Sequence, residues 1–144
     1  MNVLKTTHQD QYIEVGIGNE KYALRIDDIH EIIKMQTITC IPNTRSYIKG
    51  VINLRSKIIS IISLRARFGL AEEDNTKLTR IVVVNFMGEM VGIIVDRVNQ
   101  VTSFSAIQEP PDHSGDKQTA YFSGIGHAEA GLVFILNLIN ILQE

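Results

Sequence analysis

The sequence predicts a mainly β protein built from two similar halves, each of them folded into a small barrel. Three observations predict this fold class. The apolar residues are mostly Ile, Val and Leu, with no Trp, and β-branched side chains favour strands. Short apolar segments alternate with turn sequences. The pattern of the first half then returns in the second half.

Length and composition fit one ordinary soluble domain. The chain has 144 residues, of which 44% are hydrophobic and 21% charged, and such a chain buries a core without disulfides or metals. A net charge of −2 argues against a basic surface for nucleic acid. The single cysteine, Cys40, suits a reducing compartment. Neither a secretory signal nor an apolar run long enough to span a membrane is present, so we expect a cytoplasmic protein without direct membrane insertion.

The first half begins with a hairpin. Residues 1–11 are polar and predict a flexible N-terminal arm. Alternation at Ile13, Val15 and Ile17 then predicts a half-buried strand. Residues 18–21 have turn chemistry and residues 22–26 predict the second strand. Residues 27–33 are expected to form one or two helical turns, because Asp28 and Glu31 have capping-box spacing.

A second hairpin and a short helix complete the first half. Residues 47–53 and 57–62 are rich in Ile and predict two strands, with Arg55 and Ser56 at the hairpin tip. Ser63 can cap a helix that Gly69 ends. The acidic residues 71–79 that follow are the predicted linker between the halves.

The second half repeats this order. Residues 81–84 and 91–95 predict strands around a turn at residues 87–89. Asp96 opens a short element that carries Val98 and Val101. Residues 108–119 contain two prolines and predict a mobile loop. Residues 132–136 predict a strand, and Asn137 can cap residues 138–142.

The two halves align by counting. An offset of 69 pairs Val15 with Val84, Glu20 with Glu89, Leu24 with Ile93, Ile26 with Val95, Asp27 with Asp96 and Ile29 with Val98. An offset of 74 pairs Tyr47 with Tyr121, Gly50 with Gly124, Ile61 with Ile135, Ser63 with Asn137 and Leu64 with Leu138. About five short strands in each half predict a curled barrel. We expect a groove along the seam of the two halves to bind partners.

Catalytic and metal-binding patterns are not found in the sequence. The motifs of esterases, P-loop proteins and dinucleotide-binding proteins do not occur. The four histidines lack metal-ligand spacing, and His30 is expected at the surface. Asp27 and Asp96 are expected to cap turns, and Cys40 to be a buried, unreactive thiol. We therefore expect no enzyme, no cofactor and no metal.

Basic residues cluster around the second hairpin. Arg65 and Arg67 are expected to form a solvated face of the short helix. Arg55 lies at a tight tip inside an apolar run, where its guanidinium could pair with the carboxylate of Glu31. An exposed, unpaired Arg55 is an equally good reading of the sequence.

Residues 47–64 resemble the signature of CheW-like domains, which have a Lys-Gly-Val-x-Asn-Leu-Arg-Gly stretch followed by an aliphatic strand and a short capped helix. Residues 22–32, 91–98, 121–124 and 136–142 are similar to other segments of the same family. The resemblance covers residues 12–142. In this sequence Ser56 stands where the family usually has Gly. If the tip requires a positive φ, Ser56 is strained by about 1 kcal/mol or more.

The resemblance implies two five-stranded SH3-like β-barrels related by a pseudo-twofold axis, in residues 12–70 and 80–144. Which half contains the first strand and the last turns stays open, because the termini could cross between the halves. It also implies a non-enzymatic chemotaxis adaptor that couples the cytoplasmic tips of chemoreceptors to the regulatory domain of the histidine kinase CheA. Such a protein would work in the cytoplasm, at membrane-associated receptor arrays that it reaches through its partners.

The resemblance also implies a set of partner-binding residues for the receptor groove and the kinase interface. These residues are Ile29, Glu31, Gly50, Arg55, Val98 and Val101. In the family the arginine at the position of Arg55 pairs with the acid at the position of Glu31.

Two alternatives stay open. The chain could be the CheW-like part of a larger chemotaxis protein, either CheA itself or a CheV-type coupler. Because no kinase or receiver sequence lies between Met1 and Glu144, we expect the separate adaptor. A small barrel that binds single-stranded nucleic acid would need a basic groove with stacking aromatic residues, which the composition does not favour.

Overall fold

The computed structural model describes residues 3–4, 10–110 and 120–143. The chain divides into two compact units. The central unit comprises residues 27–98, and the terminal unit comprises residues 1–26 together with residues 99–144. Each unit is organised around one antiparallel-rich sheet.

The central unit contains a five-stranded sheet in the order β4-β7-β8-β6-β5. Its strands are β4 (Ile29–Lys34), β5 (Ile48–Leu54), β6 (Lys57–Ser63), β7 (Arg80–Phe86) and β8 (Glu89–Val95). Helix α1 (Leu64–Arg67) follows β6. The core of the central unit contains Ile52, Leu54, Ile59, Ile61, Ile81 and Val83.

The terminal unit contains a seven-stranded sheet in the order β1-β10-β11-β12-β3-β2-β9. Its strands are β1 (Val3–Leu4), β2 (Tyr12–Ile17), β3 (Glu20–Arg25), β9 (Arg97–Thr102, starting at the unit boundary), β10 (Ile107–Gln108), β11 (Phe122–Ala128) and β12 (Gly131–Leu136). Helix α2 (Leu138–Leu142) ends the described chain. The core of the terminal unit contains Tyr12, Ala23, Phe104, Ile107, Val133 and Ile135.

Strand registers follow the two offsets found in the sequence. Gly50 lies opposite Ile61 in the central unit, and Gly124 lies opposite Ile135 in the terminal unit. The strand beside each of these hairpins is also equivalent. In the central unit β6 pairs in parallel with β8, and in the terminal unit β12 pairs in parallel with β3. Five strands therefore occur in the same order in both sheets, which confirms the predicted pair of SH3-like barrels.

Each unit contains strands of both sequence repeats. The central sheet combines β4, β5 and β6 of the first repeat with β7 and β8 of the second. The terminal sheet combines β2 and β3 of the first repeat with β9, β11 and β12 of the second. The units therefore differ from the sequential division at residues 12–70 and 80–144, and residues 71–79 lie inside the central unit. Strands of one repeat thus pair with strands of the other within each unit.

The prediction of helical turns over residues 27–33 is wrong for most of that segment. Only Ile26–Asp28 forms a short 3-10 helix, and Ile29–Lys34 is the edge strand β4. Alternating burial along β4 and its pairing with β7 outweigh the capping-box spacing of Asp28 and Glu31. Strand β2 was predicted half-buried, but all six of its residues are buried.

Both predicted helix caps are confirmed. The Ser63 hydroxyl accepts a hydrogen bond from the Ala66 amide at 3.1 Å, and the Asn137 side chain accepts one from the Asn140 amide at 3.2 Å. After α1, Gly69 has φ 75°. The Leu70 amide then donates to the Arg65 carbonyl at 2.7 Å, which is a Schellman ending.

Some predicted segments lie partly outside the described residues. Strand β1, within the predicted N-terminal arm, pairs with β10, while residues 1–2 and 5–9 are not described. Residues 111–119 of the predicted loop, with His113, lie outside the described residues, as does His8. Among the described helices, none is long and apolar enough to cross a bilayer.

Candidate functional site

The tip of the β5–β6 hairpin holds the central feature of the family-like signature. Arg55 and Ser56 form a two-residue turn with φ 49° and 70°, the values of a type I′ turn. The Asn53 side-chain oxygen accepts a hydrogen bond from the Ser56 amide at 3.0 Å. Ser56 therefore has the positive φ under which a strain of about 1 kcal/mol is expected for a residue other than glycine.

Arg55 and Glu31 form the ion pair that the sequence left open. The Arg55 guanidinium donates to the Glu31 carboxylate, and the two side chains are 66% and 25% exposed. Strand β4, which carries Glu31, is one edge of the central sheet, and Arg55 follows β5 at the other edge. The pair therefore connects the two edges and helps close the sheet into a barrel.

Gly50 fixes the approach of a second segment to β5. Thr39 and Val51 exchange two backbone hydrogen bonds, each 2.9 Å long. Gly50 has φ 145°, and a Cβ atom built there would lie 2.1 Å from the Thr39 carbonyl oxygen. Any side chain at residue 50 would push this segment away, so Gly50 shapes the site through the backbone.

The apolar candidates occupy three different environments. Ile29 is half-buried at the start of β4, where it lies opposite Val84. Val98 is half-buried in β9. Val101 is 53% exposed on the same strand. The structure thus brings Glu31 and Arg55 into direct contact, with Gly50 and Ile29 on strands of the same sheet, and places Val98 and Val101 on β9.

Arg65 has a role that the sequence analysis missed. Its guanidinium donates to both carboxylate oxygens of Asp96, at 3.1 and 2.5 Å, and its side chain is only 12% exposed. The expected solvated face of α1 is therefore wrong at Arg65, and Asp96 serves as an ion-pair partner. The hydrogen bond to Asp96 raises the pKa of Arg65, against a smaller lowering by burial.

The same guanidinium holds the acidic segment that was predicted to be a linker. It donates to the Ala71 carbonyl at 3.1 Å and lies 3.4 Å from Glu73. Lys49 lies 3.8 Å from Glu72. These contacts bind residues 71–73 to their own barrel, over a cleft of about 320 Å³. One buried guanidinium bonded to several carbonyl and carboxylate oxygens would explain the position of this segment.

Other residue predictions have mixed outcomes. Arg67 lies over the Tyr47 ring, 4.4 Å from its centroid, a cation–π contact and not a merely solvated position. His30 is exposed as predicted. Cys40 is exposed, and the prediction of a buried thiol is wrong. Within the described part of the chain, His, Cys, Asp and Glu side chains form no group of three that could hold a metal.

Glu14 is a second residue that the sequence analysis did not single out. It lies in β2 and is only 3% exposed. Its carboxylate accepts a hydrogen bond from the Asn99 amide group at 2.7 Å. The signal was present in the repeat, because the offset of 69 aligns Glu14 with the apolar Val83 of the central core.

Comparisons with known proteins identify the family to which the chain belongs. The model of the CheW-like domain family matches residues 11–144. The chain is 36% identical over 136 residues to the chemotaxis protein CheW of Helicobacter pylori, covering 93% of this chain and 82% of that protein. It is 34% identical over 139 residues to CheW of Klebsiella aerogenes, with the same two coverages.

A solved structure is also similar. The scaffolding protein TtCheW from Thermoanaerobacter tengcongensis superposes with a TM-score of 0.86 at 35% identity, covering 94% of this chain and 93% of that one.

Proposed function

We propose that this chain, which belongs to the CheW-like family of chemotaxis scaffolds, is a non-enzymatic adaptor. It couples methyl-accepting chemoreceptors to the histidine kinase CheA. The receptors contribute their cytoplasmic tips and the kinase contributes its regulatory domain. On this proposal the protein works in the cytoplasm and reaches membrane-associated arrays through its partners.

The observation that carries the proposal is the conformation of the signature segment. Its two strands form the β5–β6 hairpin, and its arginine lies at the tip, where it donates to Glu31. Because the Arg55 side chain remains 66% exposed, it has donors left for a partner. An arginine at an exposed tip of a rigid hairpin suits an interface that must hold a defined orientation.

The other candidate residues divide into two roles. Ile29, Val98 and Val101 supply apolar contact area for an amphipathic receptor helix. Glu31 and Gly50 position the hairpin, one through its ion pair with Arg55 and the other through the close backbone approach to Thr39. Signalling then follows from geometry, because a scaffold that fixes receptor and kinase lets a small receptor motion bias the kinase between two states.

Co-sedimentation tests the proposal. Receptor cytoplasmic fragments assembled on vesicles are pelleted with CheA, with and without the protein. We expect CheA to enter the pellet only when the protein is added. Arg55→Glu should reduce the amount of CheA or of the adaptor in the pellet by at least tenfold. The substitution removes the guanidinium at the tip and places a second carboxylate beside that of Glu31.

Lys77→Glu is the matched control. It makes the same change of net charge at an exposed residue of the same unit and should leave both amounts unchanged. Circular dichroism confirms that each variant is folded. Failure of the folded wild-type protein to bind either partner, or equal losses in Arg55→Glu and Lys77→Glu, would overturn the proposal.

A further inference from the structure

The terminal unit has an open cleft at one end of its barrel. The equivalent end of the central barrel is closed by the Glu31–Arg55 pair. Four positions of the central barrel end have counterparts through the two offsets. Val83 corresponds to Glu14, Glu31 to Gln100, Leu54 to Ala128 and Arg55 to Glu129. All four counterparts line one cleft of about 670 Å³, together with Lys21 and His127. The cleft is therefore the terminal equivalent of the end closed by the Glu31–Arg55 pair.

Three of the four replacements open the cleft or make it more negative, whereas Gln100 is neutral in place of the acid Glu31. Leu54 is a core residue of the central unit, and the smaller Ala128 leaves space in its place. Val83 is fully buried among apolar neighbours, whereas Glu14 brings a carboxylate to that position. The arginine at the hairpin tip becomes Glu129. The terminal unit thus has no counterpart of the Glu31–Arg55 ion pair, and it carries acids at two other positions of the barrel end, Glu14 and Glu129.

The charges of Glu14 and Glu129 are only partly compensated within the chain, because the two carboxylates share the cleft with one ammonium group, that of Lys21. The Glu14 carboxylate is only 3% exposed, and the Asn99 side chain is its one side-chain hydrogen-bond donor among the described residues. No ion pair joins Glu14 or Glu129 to a cation within the described part of the chain. A buried carboxylate normally pairs with a cation, because one neutral donor recovers only part of its lost hydration.

We propose that this cleft binds a guanidinium group, supplied by an arginine side chain of a partner protein. The partner's arginine would take the place that Arg55 occupies in the central unit, with Glu14 and Glu129 as its acceptors. Gln100 and the hydroxyl groups of Ser103 and Ser105 also line the cleft and can accept from the remaining N–H groups. The volume of the cleft leaves room for the backbone that carries the arginine. The site does not depend on the proposed array role, since all of its acceptor groups belong to this chain.

Binding of small peptide analogues to the whole protein tests the site. N-acetyl-arginine methylamide, the lysine analogue and the neutral citrulline analogue are titrated while backbone amide shifts are followed by NMR. We expect shifts at Ser103, Ser105 and Ala128, and the tightest binding for the arginine analogue. Equal affinity for the citrulline analogue, or shifts confined to the central unit, would overturn the proposal.

Three variants define the acceptors. Glu14→Gln keeps the shape and should weaken binding of the arginine analogue by at least about tenfold. Glu129→Gln, in an exposed turn, should weaken it about threefold. Glu89→Gln, an exposed residue of the central unit, is the matched control and should change nothing. Unchanged binding in both Glu14→Gln and Glu129→Gln would contradict the assignment.

A reconstruction and a second ligand complete the test. Glu129→Arg places an arginine where the central unit has Arg55, and it should abolish binding while raising the melting temperature. Free guanidinium ion at the same concentrations should bind more weakly than the peptide analogue. Binding that survives in Glu129→Arg, or equal affinity for the free ion, would overturn a partner-borne arginine as the ligand. A positive result here with a negative co-sedimentation result would keep the site and reject the array role.

Discussion

The central and terminal units share five strands in one order, but the ends of their barrels differ. In the central unit the tip arginine pairs with an acid of the edge strand, so the chain satisfies its own charges. In the terminal unit the equivalent tip is Glu129, and the equivalent core position carries the buried acid Glu14. Two similar barrels can therefore share a strand order while one pairs its charges internally and the other leaves acids at the equivalent end.

The largest expected difference concerns the equivalent glycines at the bulges of β5 and β11. Gly50→Ala should lower the free energy of unfolding by about 3 kcal/mol, because Cβ would lie 2.1 Å from a carbonyl oxygen at φ 145°. Gly124→Ala should cost about 1–2 kcal/mol, since its nearest obstacle is the Ile107 methyl group at 2.7 Å. Urea unfolding measures both. Equal losses would mean that the two bulges tolerate a side chain equally.

A second contrast lies in the short helices. Arg65 pairs with Asp96 in the central unit, and its counterpart by the offset of 74 is Ile139, which is 57% exposed. Arg65→Ala should lower the free energy of unfolding by about 2 kcal/mol, because Asp96 loses the guanidinium that donates to both of its carboxylate oxygens. Ile139→Ala should cost less than about 0.5 kcal/mol. Denaturant midpoints measure the difference, and a larger loss in Ile139→Ala would contradict this contrast.

Reversal of the central ion pair separates closure of the barrel from contact with partners. Arg55→Glu alone should lower the free energy of unfolding by about 1 kcal/mol, since both side chains are partly exposed. The double variant Glu31→Arg with Arg55→Glu should recover that stability. It should not recover binding if Arg55 contacts a partner directly. Thermal unfolding and co-sedimentation on the same samples measure the two effects, and recovery of binding would assign Arg55 a positioning role only.

The smallest expected effect appears at high pH in the terminal unit. Burial raises the pKa of Tyr12 and of Tyr22 above the ordinary value, which is about 10. The folded state then keeps protons that the unfolded state has released. The stability from these groups is complete below the unfolded pKa and is lost as pH rises through the folded values.

Tyrosinate absorbance during an alkaline titration checks this shift. Part of the signal should appear at higher pH in the native protein than in urea, and the double variant Tyr12→Phe with Tyr22→Phe should remove that part. Coincident native and unfolded titrations would contradict it.

The repeat could be predicted from the sequence because matched caps and apolar spacings are local features. Ser63 and Asn137 cap equivalent helices, and Arg55 lies at the predicted turn. The exchange of strands between repeats could not be predicted, since pairing within a repeat or between repeats uses the same local patterns. Strand β4 was mistaken for helix because pairing with β7 decides its conformation. The Arg65–Asp96 pair joins residues far apart in sequence and carries no local signal.

Reconstituted kinase activity tests the central claim most directly. CheA autophosphorylation is measured on receptor-containing vesicles with and without this protein, and with attractant added. The account predicts that kinase activity rises several-fold only when receptor, kinase and this protein are all present, and that attractant suppresses the rise. Activity that does not depend on this protein, with all three components folded, would contradict its role as the coupling scaffold.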